Sequence, residues 1–480
     1  MSASLLRDLP DLLAAAEADA HTALDAARAR LGGVSLPGAS LPGASLPGAG
    51  LAGADAPLVP HTHAVPGRLV FGDNVRALAE LVAAAELEHA AGGAARPRLV
   101  YLDPPFDSKA DYRSRVVTRL SDGQQVALEH LAYSDRWGGG TPEYLRMLAT
   151  RLVLVRALLA PDGAVCVHVD WHASHWVRVM LDELFGAEHF VNNLVWGYRS
   201  GGASRTKSVP RKHDDLLLYR RSRAFRIRPL AERQYLRRSF MGSKVDAEGR
   251  HYADTLLRDV LEGAVHLVDA DGGVCELSVR PVLNVSQERS GYATQKPLGL
   301  LELLLRWTTG PGDLVVDAFG GSGTTALAAA ALGRDWVSID SNPQAIATAQ
   351  ARLDAAGADY VVGRDTAQDA VGELRLSVES GVVRMREFTP AADAFGRLRP
   401  ARGVDDGALA AVHADALAPL FGWTLLHREV RLASAWRDVR GQLDPELQLP
   451  PGTESTEGLS VSVTDLAGNV AVRPLATRSA

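Results

Sequence analysis

Four short apolar runs in this chain each end on an aspartate: Leu99 to Asp103 (L-V-Y-L-D), Ala164 to Asp170 (A-V-C-V-H-V-D), Leu314 to Asp317 and Trp336 to Asp340. Runs of this length, rich in branched residues and bounded by turn residues, are predicted strands. Arg68-Leu-Val-Phe71, followed by Gly72-Asp73-Asn74 and a helix from Val75, adds another. A helix is expected from Ala326 to Leu332, between two of the strands. Alternation of strand and helix implies an α/β fold with a parallel sheet, whose ligands bind beyond the C-terminal strand ends.

The remaining sequence bounds the domain count and the compartment. At 480 residues the chain is long enough for about three domains. With 46% hydrophobic and 22% charged residues, collagen and wholesale disorder are excluded. Two cysteines, Cys166 and Cys275, make neither a disulfide framework nor a four-thiolate zinc site. The N-terminus lacks the form of a signal peptide and no run is long enough for a membrane span, so a cytoplasmic protein without membrane contact is expected. Residues 3–31 read as an amphipathic helix, with Leu5, Leu9, Leu12, Leu13 and Ala16 at helical spacing. Ser-Leu-Pro-Gly-Ala then occurs three times, at 35–39, 40–44 and 45–49, which reads as a flexible tether. From about residue 375 the chain looks separate, with a hairpin-like tail from Leu459 to Leu475 turning at Gly468-Asn469.

Two motifs carry chemistry. Asp103-Pro104-Pro105-Phe106 follows the strand L-V-Y-L directly. Two prolines fix φ twice and remove two N–H donors, leaving a rigid bend that presents carbonyls. A carboxylate beside a carbonyl can accept both hydrogens of an exocyclic NH2 group, and an adjacent aromatic ring can stack on the base that carries it. The second motif is Asp317-Ala-Phe319-Gly320-Gly321-Ser322-Gly323-Thr324-Thr325, between a strand and a helix. Glycines at such a turn let a ligand approach the backbone closely. The turn is neither G-x-G-x-x-G nor a P-loop. Asp340, at the end of the next strand, is at the right distance to bind ribose hydroxyls.

With these residues in place, the chain resembles S-adenosylmethionine-dependent DNA amino-methyltransferases. More narrowly, it is similar to the β-ordered N6-adenine group that includes modification subunits of type III restriction systems. In that group the catalytic D-P-P-F/Y precedes the cofactor turn F-x-G-x-G, as Phe106 here precedes Phe319. Tyr133-Ser134-Asp135-Arg136-Trp137, the stretch His168 to Phe185, and Tyr292-Ala-Thr294-Gln295-Lys296-Pro297 resemble further blocks of the group. The resemblance covers roughly residues 67–220 and 284–355, plus some of the tail. It implies a Rossmann-like fold with circularly permuted motif order and a mostly parallel, seven-stranded sheet. The expected domains are a helix at 1–33, a linker at 34–66, a catalytic half at 67–200, a target-recognition region at 201–285, a cofactor half at 286–370 and a small C-terminal domain at 371–480.

The resemblance also implies roles. Asp103 and the Pro104 carbonyl would hold the target amine, with Pro105 keeping the bend rigid and Phe106 stacking on a flipped base. Asp317, Phe319, Gly320, Gly321 and Gly323 would cradle the methionine end of S-adenosylmethionine. Thr324 and Thr325 would cap the next helix and Asp340 would take the ribose hydroxyls. Asp73 is a candidate near the cofactor adenine, and Lys296 a candidate for placing the cofactor. Ala318 departs from the proline that relatives often carry, a small change beside Phe319. No cysteine nucleophile is needed, so Cys166 is expected in the core.

The segment His168-Val-Asp170-Trp-His172-Ala-Ser-His175 has zinc-type ligands near a strand end. Related methyltransferases carry a comparable segment without a metal, so none is expected. The net charge of -6 taken alone argues against a nucleic-acid partner. Yet Arg199 to Arg258 holds 16 Lys/Arg against 6 Asp/Glu, a local net of +10 that leaves -16 on the rest of the chain. Aromatics are interleaved there, which fits a phosphate-binding surface. Arg205, Lys207, Arg211, Arg226, Arg228, Arg237 and Arg238 are the candidate DNA contacts, and Gly201-Gly202-Ala203 a loop that orders on DNA. The expected activity is site-specific N6-adenine methylation of double-stranded DNA, with a homodimer and a restriction subunit as possible partners. Competing readings are N4-cytosine methylation, methylation of RNA or a protein amide, a non-catalytic DNA-binding subunit, and a metallohydrolase built on the histidines. The aspartate heading the first motif leans toward adenine, since N4 enzymes commonly begin with serine there.

Overall fold

The computed structural model describes residues 5–31, 58–59, 65–90, 96–199, 209–283, 286, 288–364, 372–391, 393–427, 430–451 and 458–475. The Ser-Leu-Pro-Gly-Ala repeats, Gly201–Ala203, Arg205 and Lys207 lie outside the described residues.

The central sheet runs, edge to edge, Val260–Glu262, Phe190–Gly197, His213–Arg220, Ala164–Asp170, Leu99–Leu102, Leu314–Asp317, Asp335–Asp340, Gly67–Phe71, Tyr360–Arg364. All neighbours pair in parallel except His213–Arg220, which is antiparallel to both of its partners. The sheet therefore has nine strands rather than the expected seven. The two additions are its edges, Val260–Glu262 on Phe190–Gly197 and Tyr360–Arg364 on Gly67–Phe71. Each satisfies backbone groups that an open edge would leave unpaired. The predicted strands and the helices from Asn74 and Thr324 are all present.

Parallel strands are covered on both faces, which is why these runs are continuously apolar. Side chains alternate between two cores. Val100, Leu102, Val165, Val167, Val316 and Ile339 join the core under helices Leu5–Leu31, Asn74–Ala90, Thr141–Leu158 and Ser174–Phe185. Leu99, Tyr101, Cys166, Val315 and Trp336 join the core under helices Leu298–Thr308, Thr324–Ala331 and Pro343–Ala355. Cys166 is fully buried and free, and burial pushes its thiol well above the ordinary range. The N-terminal helix forms as the spacing predicts. Its apolar stripe of Leu9, Leu12, Ala16, Ala20, Leu24, Ala27 and Leu31 is buried within the same chain. Arg146 pins it through two bonds of 2.9 Å to Asp19. Within the span expected as linker, Leu58 and Val59 are buried, and their N–H groups donate to the buried Glu80 carboxylate at 2.6 and 3.2 Å.

The span expected as a recognition region, 201–285, divides differently from expectation. His213–Arg220 belongs to the central sheet, because its apolar run is buried between Ala164–Asp170 and Phe190–Gly197. Beyond Arg220 the chain builds a separate antiparallel sheet in the order Val274–Ser278, Ala264–Val268, Ala231–Leu236, His251–Leu256, Lys244–Val245. The C-terminal region forms two small sheets, and its tail pairs as the expected hairpin, Leu459–Asp465 with Val470–Pro474. That region is docked on the half that carries the D-P-P-F motif: Leu398–Pro400 extends the hairpin Asp111–Arg119/Gln125–Ser134, and Leu398, Phe395 and Leu466 share a core with Val116 and Leu128. Among the described residues no helix is long and apolar enough to cross a membrane.

Candidate active site

The register decides where the chemistry collects. Asp317 pairs with Tyr101 and Val316 with Val100, so the two motif-bearing strands end side by side. The chain leaves Leu99–Leu102 toward one edge of the sheet and Leu314–Asp317 toward the other, opening a crevice between them. A cavity of about 250 Å³ lies there. Its lining includes Asp73, Asp103, Pro104, Pro105, Lys296, Asp317, Phe319, Gly320, Gly321, Thr324, Thr325 and Asp340. Twelve positions singled out in the sequence thus meet in one cleft, drawn from separate stretches of chain.

On the glycine side, the backbone is held too tightly for side chains. A Cβ on Gly320 would lie 2.2 Å from Ser338 Oγ. One on Gly323, whose φ is +78°, would lie 2.8 Å from Ala349 Cβ. Gly323 thereby closes the turn against helix Pro343–Ala355, outside the cleft lining, while Gly321 faces Tyr292. The Gly321 N–H donates to Asp340 Oδ2 at 2.8 Å, and the Asn342 N–H to Asp340 Oδ1 at 2.7 Å. Burial nevertheless raises the Asp340 carboxyl above its ordinary range. Asp317 is more deeply buried, and that burial pushes its carboxyl up to about 7. Thr325 and the Phe319 N–H, which donates at 3.0 Å, oppose that rise, while Asp103 and Asp340 add to it. Asp73 caps helix Asn74–Ala90 by accepting from the Arg76 N–H at 2.9 Å, and lies near Asp340 because their strands are neighbours.

On the other side, Asp103 does not stand alone. Lys296 Nζ lies 2.9 Å from its Oδ1 and 2.7 Å from its Oδ2. The lysine that the sequence offers to the cofactor therefore engages the first residue of the D-P-P-F motif. The same ammonium is 5.1 Å from the centre of the Phe106 ring. Phe106 stacks on His168, with centroids 6.0 Å apart. His168 is fully buried in a hydrogen-bonded chain: Tyr101 Oη to Nδ1 at 2.7 Å, Nε2 to Asp214 at 3.2 Å, and Asp214 to Tyr198 Oη at 2.8 Å. His172 turns instead to Asp170, at 2.7 Å. The histidine segment thus does not converge, and among the described residues no three His, Cys, Asp or Glu side chains gather to hold a metal ion.

Several site residues carried no assigned role in the sequence. Asp135 is completely buried beneath the loop after Pro105. Its Oδ2 accepts from the N–H groups of Phe106 (3.0 Å) and Ser108 (2.7 Å) and from Ser108 Oγ (2.6 Å). Its Oδ1 accepts from the Asp107 N–H (2.9 Å) and Trp137 Nε1 (3.0 Å). Asp107 and Lys109 hold φ of +58° and +62°, a left-handed conformation that side chains other than glycine resist. Asn74 donates to the Ala318 carbonyl at 2.7 Å and accepts from Arg151 Nε at 2.7 Å, which braces the start of the glycine turn. The Y-S-D-R-W block was the visible signal for Asp135; Arg151, inside a helix, gave none.

The candidate DNA contacts separate. Arg211 stacks over Trp171, 3.7 Å from its ring centre, just beyond the end of strand Ala164–Asp170. Arg226 and Arg228 lie at the opposite end of the sheet. The chain there is tied to strand starts and helix ends, Arg221 N to Gly163 O at 2.8 Å and Arg228 N to Trp307 O at 2.8 Å. A seven-residue strand spans roughly 20 Å. Neither arginine is brought to the cleft, because the antiparallel strand His213–Arg220 carries the chain away from it.

Residues 98–351 match the N6_N4_Mtase family, described as DNA methylase. The chain belongs to this family. It is a DNA methyltransferase of the N6/N4 type, and its cofactor is S-adenosylmethionine. Among curated relatives, the methyltransferase is 26% identical over 367 residues to the type II methyltransferase M.EcaI of Enterobacter cloacae, covering 65% of this chain and 75% of that protein. It is 21% identical over 306 residues to the StyLTI Mod subunit of a type III restriction-modification enzyme from Salmonella typhimurium, covering 49% of this chain and 47% of the subunit. A shorter match, 41% identical over 69 residues, joins it to the DNA adenine methyltransferase YhdJ of Escherichia coli, covering 14% of this chain and 24% of that protein. The cleft fits S-adenosylmethionine on its own chemistry. Backbone of the glycine turn lines the cleft at Gly320 and Gly321, and Asp317 and Asp340 set a buried and a half-buried carboxylate against a ligand that carries positive charge and ribose hydroxyls.

Proposed function

We propose that this methyltransferase modifies the N6 amine of adenine at a specific site in double-stranded DNA, as part of a restriction-modification or related system. The observation that carries the reading is the single cleft in which Asp103-Pro104-Pro105 stands beside the glycine turn. S-adenosylmethionine, when bound, supplies an electrophilic methyl group on a sulfonium. The protein's part is positioning, which suits direct transfer to nitrogen better than general-base strength. The Asp103 carboxylate and the Pro104 carbonyl accept the two amine hydrogens and turn the nitrogen lone pair toward the cofactor. The proton that the nitrogen sheds, as its bond to methyl forms and the sulfur–methyl bond breaks, would pass along its hydrogen bond to Asp103. A carboxylate offers about four acceptor positions, so Asp103 keeps Lys296 while taking the amine. Phe106, backed by His168, supplies a face for the base. Phe319, Gly320 and Gly321 shape the seat for the methionine end, with Asp317 beneath it and Gly323 closing the turn from behind. Asp340 and Asp73 serve the ribose and adenine ends. Duplex DNA buries the amine, so the base is extruded before transfer.

Aspartate at the head of the motif and the similarity to a DNA adenine methyltransferase favour adenine over cytosine. The similarity to the StyLTI Mod subunit supports a restriction subunit as partner. Methylation-sensitive sequencing of DNA from cells with the wild-type gene, with Asp103→Ala and without the gene tests the reading. The expected result is N6-methyladenine at one short sequence, present only with the wild-type gene. N4-methylcytosine would move the substrate to cytosine. Marks retained in full by Asp103→Ala would reject the mechanism.

A further inference from the structure

The acids of the small antiparallel sheet neutralise much of its positive charge. Arg233 pairs with Asp254 at 2.7 Å, Arg250 with Asp246 at 2.7 Å and Arg258 with Glu232 at 3.5 Å, and Lys244 approaches Asp254 at 3.8 Å. Arg237 and Arg238 are different: both are exposed, and among the described residues neither forms an ion pair. They lead into a tight turn. The Ser243 N–H donates to the Phe240 carbonyl at 2.9 Å, the Phe240 N–H donates to Ser243 Oγ at 3.1 Å, and Gly242 supplies the φ of +82° that the turn requires. On its crest Phe240 and Met241 are 72% and 90% exposed. Single exposed apolar residues are ordinary. Two adjacent large ones, on a preformed turn behind two unpaired arginines, fit a partner that is polyanionic outside and apolar within, as stacked DNA is.

The strand registers place this turn at the catalytic end of the molecule. Val260–Glu262 runs parallel to Phe190–Gly197, so Glu262, beside Gly197, lies at the end where the parallel strands terminate. Ala264 follows it at that end, and Ala264–Val268 returns toward the other, since Val268 pairs with Ala231, three residues after the Arg228 N–H that donates to the Trp307 carbonyl there. Ala231–Leu236 pairs antiparallel to it, Ala231 with Val268, and so climbs back toward the catalytic end. Its last residue, Leu236, precedes Arg237. At this level Ser278 packs on Gly299, in the first turn of the helix just after Lys296, the residue bound to Asp103.

We propose that Phe240 and Met241 form a wedge that enters the base stack and fills the position vacated by the extruded base, with Arg237 and Arg238 on the flanking phosphates. The inference rests on the duplex-DNA reading above. An apolar side chain in the vacated position replaces stacking that extrusion removes, and so holds the base out.

The test compares the wild-type protein with a Phe240→Ala/Met241→Ala variant on two duplexes carrying the sequence that methylome sequencing returns. One is fully paired; in the other the nucleotide opposite the target is abasic. The expected result is a loss of roughly 10- to 100-fold in single-turnover rate on the paired duplex, restored to within about 3-fold of wild type by the abasic site, whose target base is already unpaired. Cofactor affinity and thermal midpoint should stay at wild-type values, since both side chains are largely exposed. Equal loss on both duplexes, or no loss on either, overturns the wedge and leaves the enzymatic reading standing. A wild-type protein that methylates neither duplex rejects the enzymatic reading itself.

Discussion

Replacing Asp135 by asparagine should disable the catalytic loop while leaving the cofactor seat intact. All three backbone N–H groups from Phe106 to Ser108 donate to this one buried carboxylate, whose two oxygens accept five hydrogen bonds of 2.6 to 3.0 Å. Asparagine keeps a single carbonyl oxygen. If its NH2 replaces Oδ1, the Asp107 N–H and Trp137 Nε1–H lose their acceptor. If it replaces Oδ2, the Phe106 and Ser108 N–H groups lose theirs, and only the Ser108 hydroxyl can turn to accept. Either way two donors face two others. Each buried donor left unsatisfied costs ~1–3 kcal/mol, so the total is ~2–6 kcal/mol. The left-handed conformations of Asp107 and Lys109 oppose retention of the loop further. The loop therefore opens, displacing Phe106 and loosening Pro104 and Pro105. A loss at the low end, ~2 kcal/mol, corresponds to a ~30-fold fall in rate. Single-turnover methyl transfer measures that rate, and calorimetry measures cofactor binding at the glycine turn, which Asp135 does not touch. The expected pattern is kcat down by at least that factor, with cofactor Kd within about twofold of wild type. A variant with wild-type kcat would refute the view that these hydrogen bonds position the loop.

Charge governs two further outcomes. Burial pushes the Asp317 carboxyl up to about 7, so below that pH the folded protein holds it protonated. Bound positive charge favours the ionised form, so cofactor binding should expel a proton below pH 7. Affinity should fall by up to tenfold per pH unit as the pH drops below about 7 and level off above it. Calorimetry at pH 6 in buffers of different ionisation enthalpy reads that proton directly, and Asp317→Asn should abolish it; proton-neutral binding in the wild type would count against the assignment. Arg237→Gln/Arg238→Gln should weaken duplex binding and flatten its salt dependence, the slope of log K against log salt falling by about 1.8 if both contact phosphate. Arg226→Gln/Arg228→Gln, at the far end of the sheet, should leave the slope unchanged, and a slope that responds to this pair would place the duplex elsewhere.

The sequence by itself determined the strands, because a buried parallel strand must be apolar on both faces and these runs are. It determined the two motifs as well: a D-P-P-F bend and a glycine turn are local objects, fixed by φ restrictions and missing side chains. It also located the N-terminal helix and the C-terminal hairpin, both governed by short-range periodicity. Tertiary structure decided which of these objects meet. Tyr101 is beside Asp317 through strand register alone, and Lys296 reaches Asp103 because the chain returns through the same crevice. Nor did the sequence show that Asp135 lies beneath the loop, since a buried aspartate and a solvated one are the same letter until the donors around it are known. The basic segment shows the difference most plainly. Its charge of +10 is a sum over the chain, whereas DNA meets a surface. Ion pairs take several of those arginines, an antiparallel strand carries Arg226 and Arg228 to the far end, and register returns Arg237 and Arg238 to the catalytic one. Composition fixes how much charge a segment carries; only the path of the backbone fixes where that charge points.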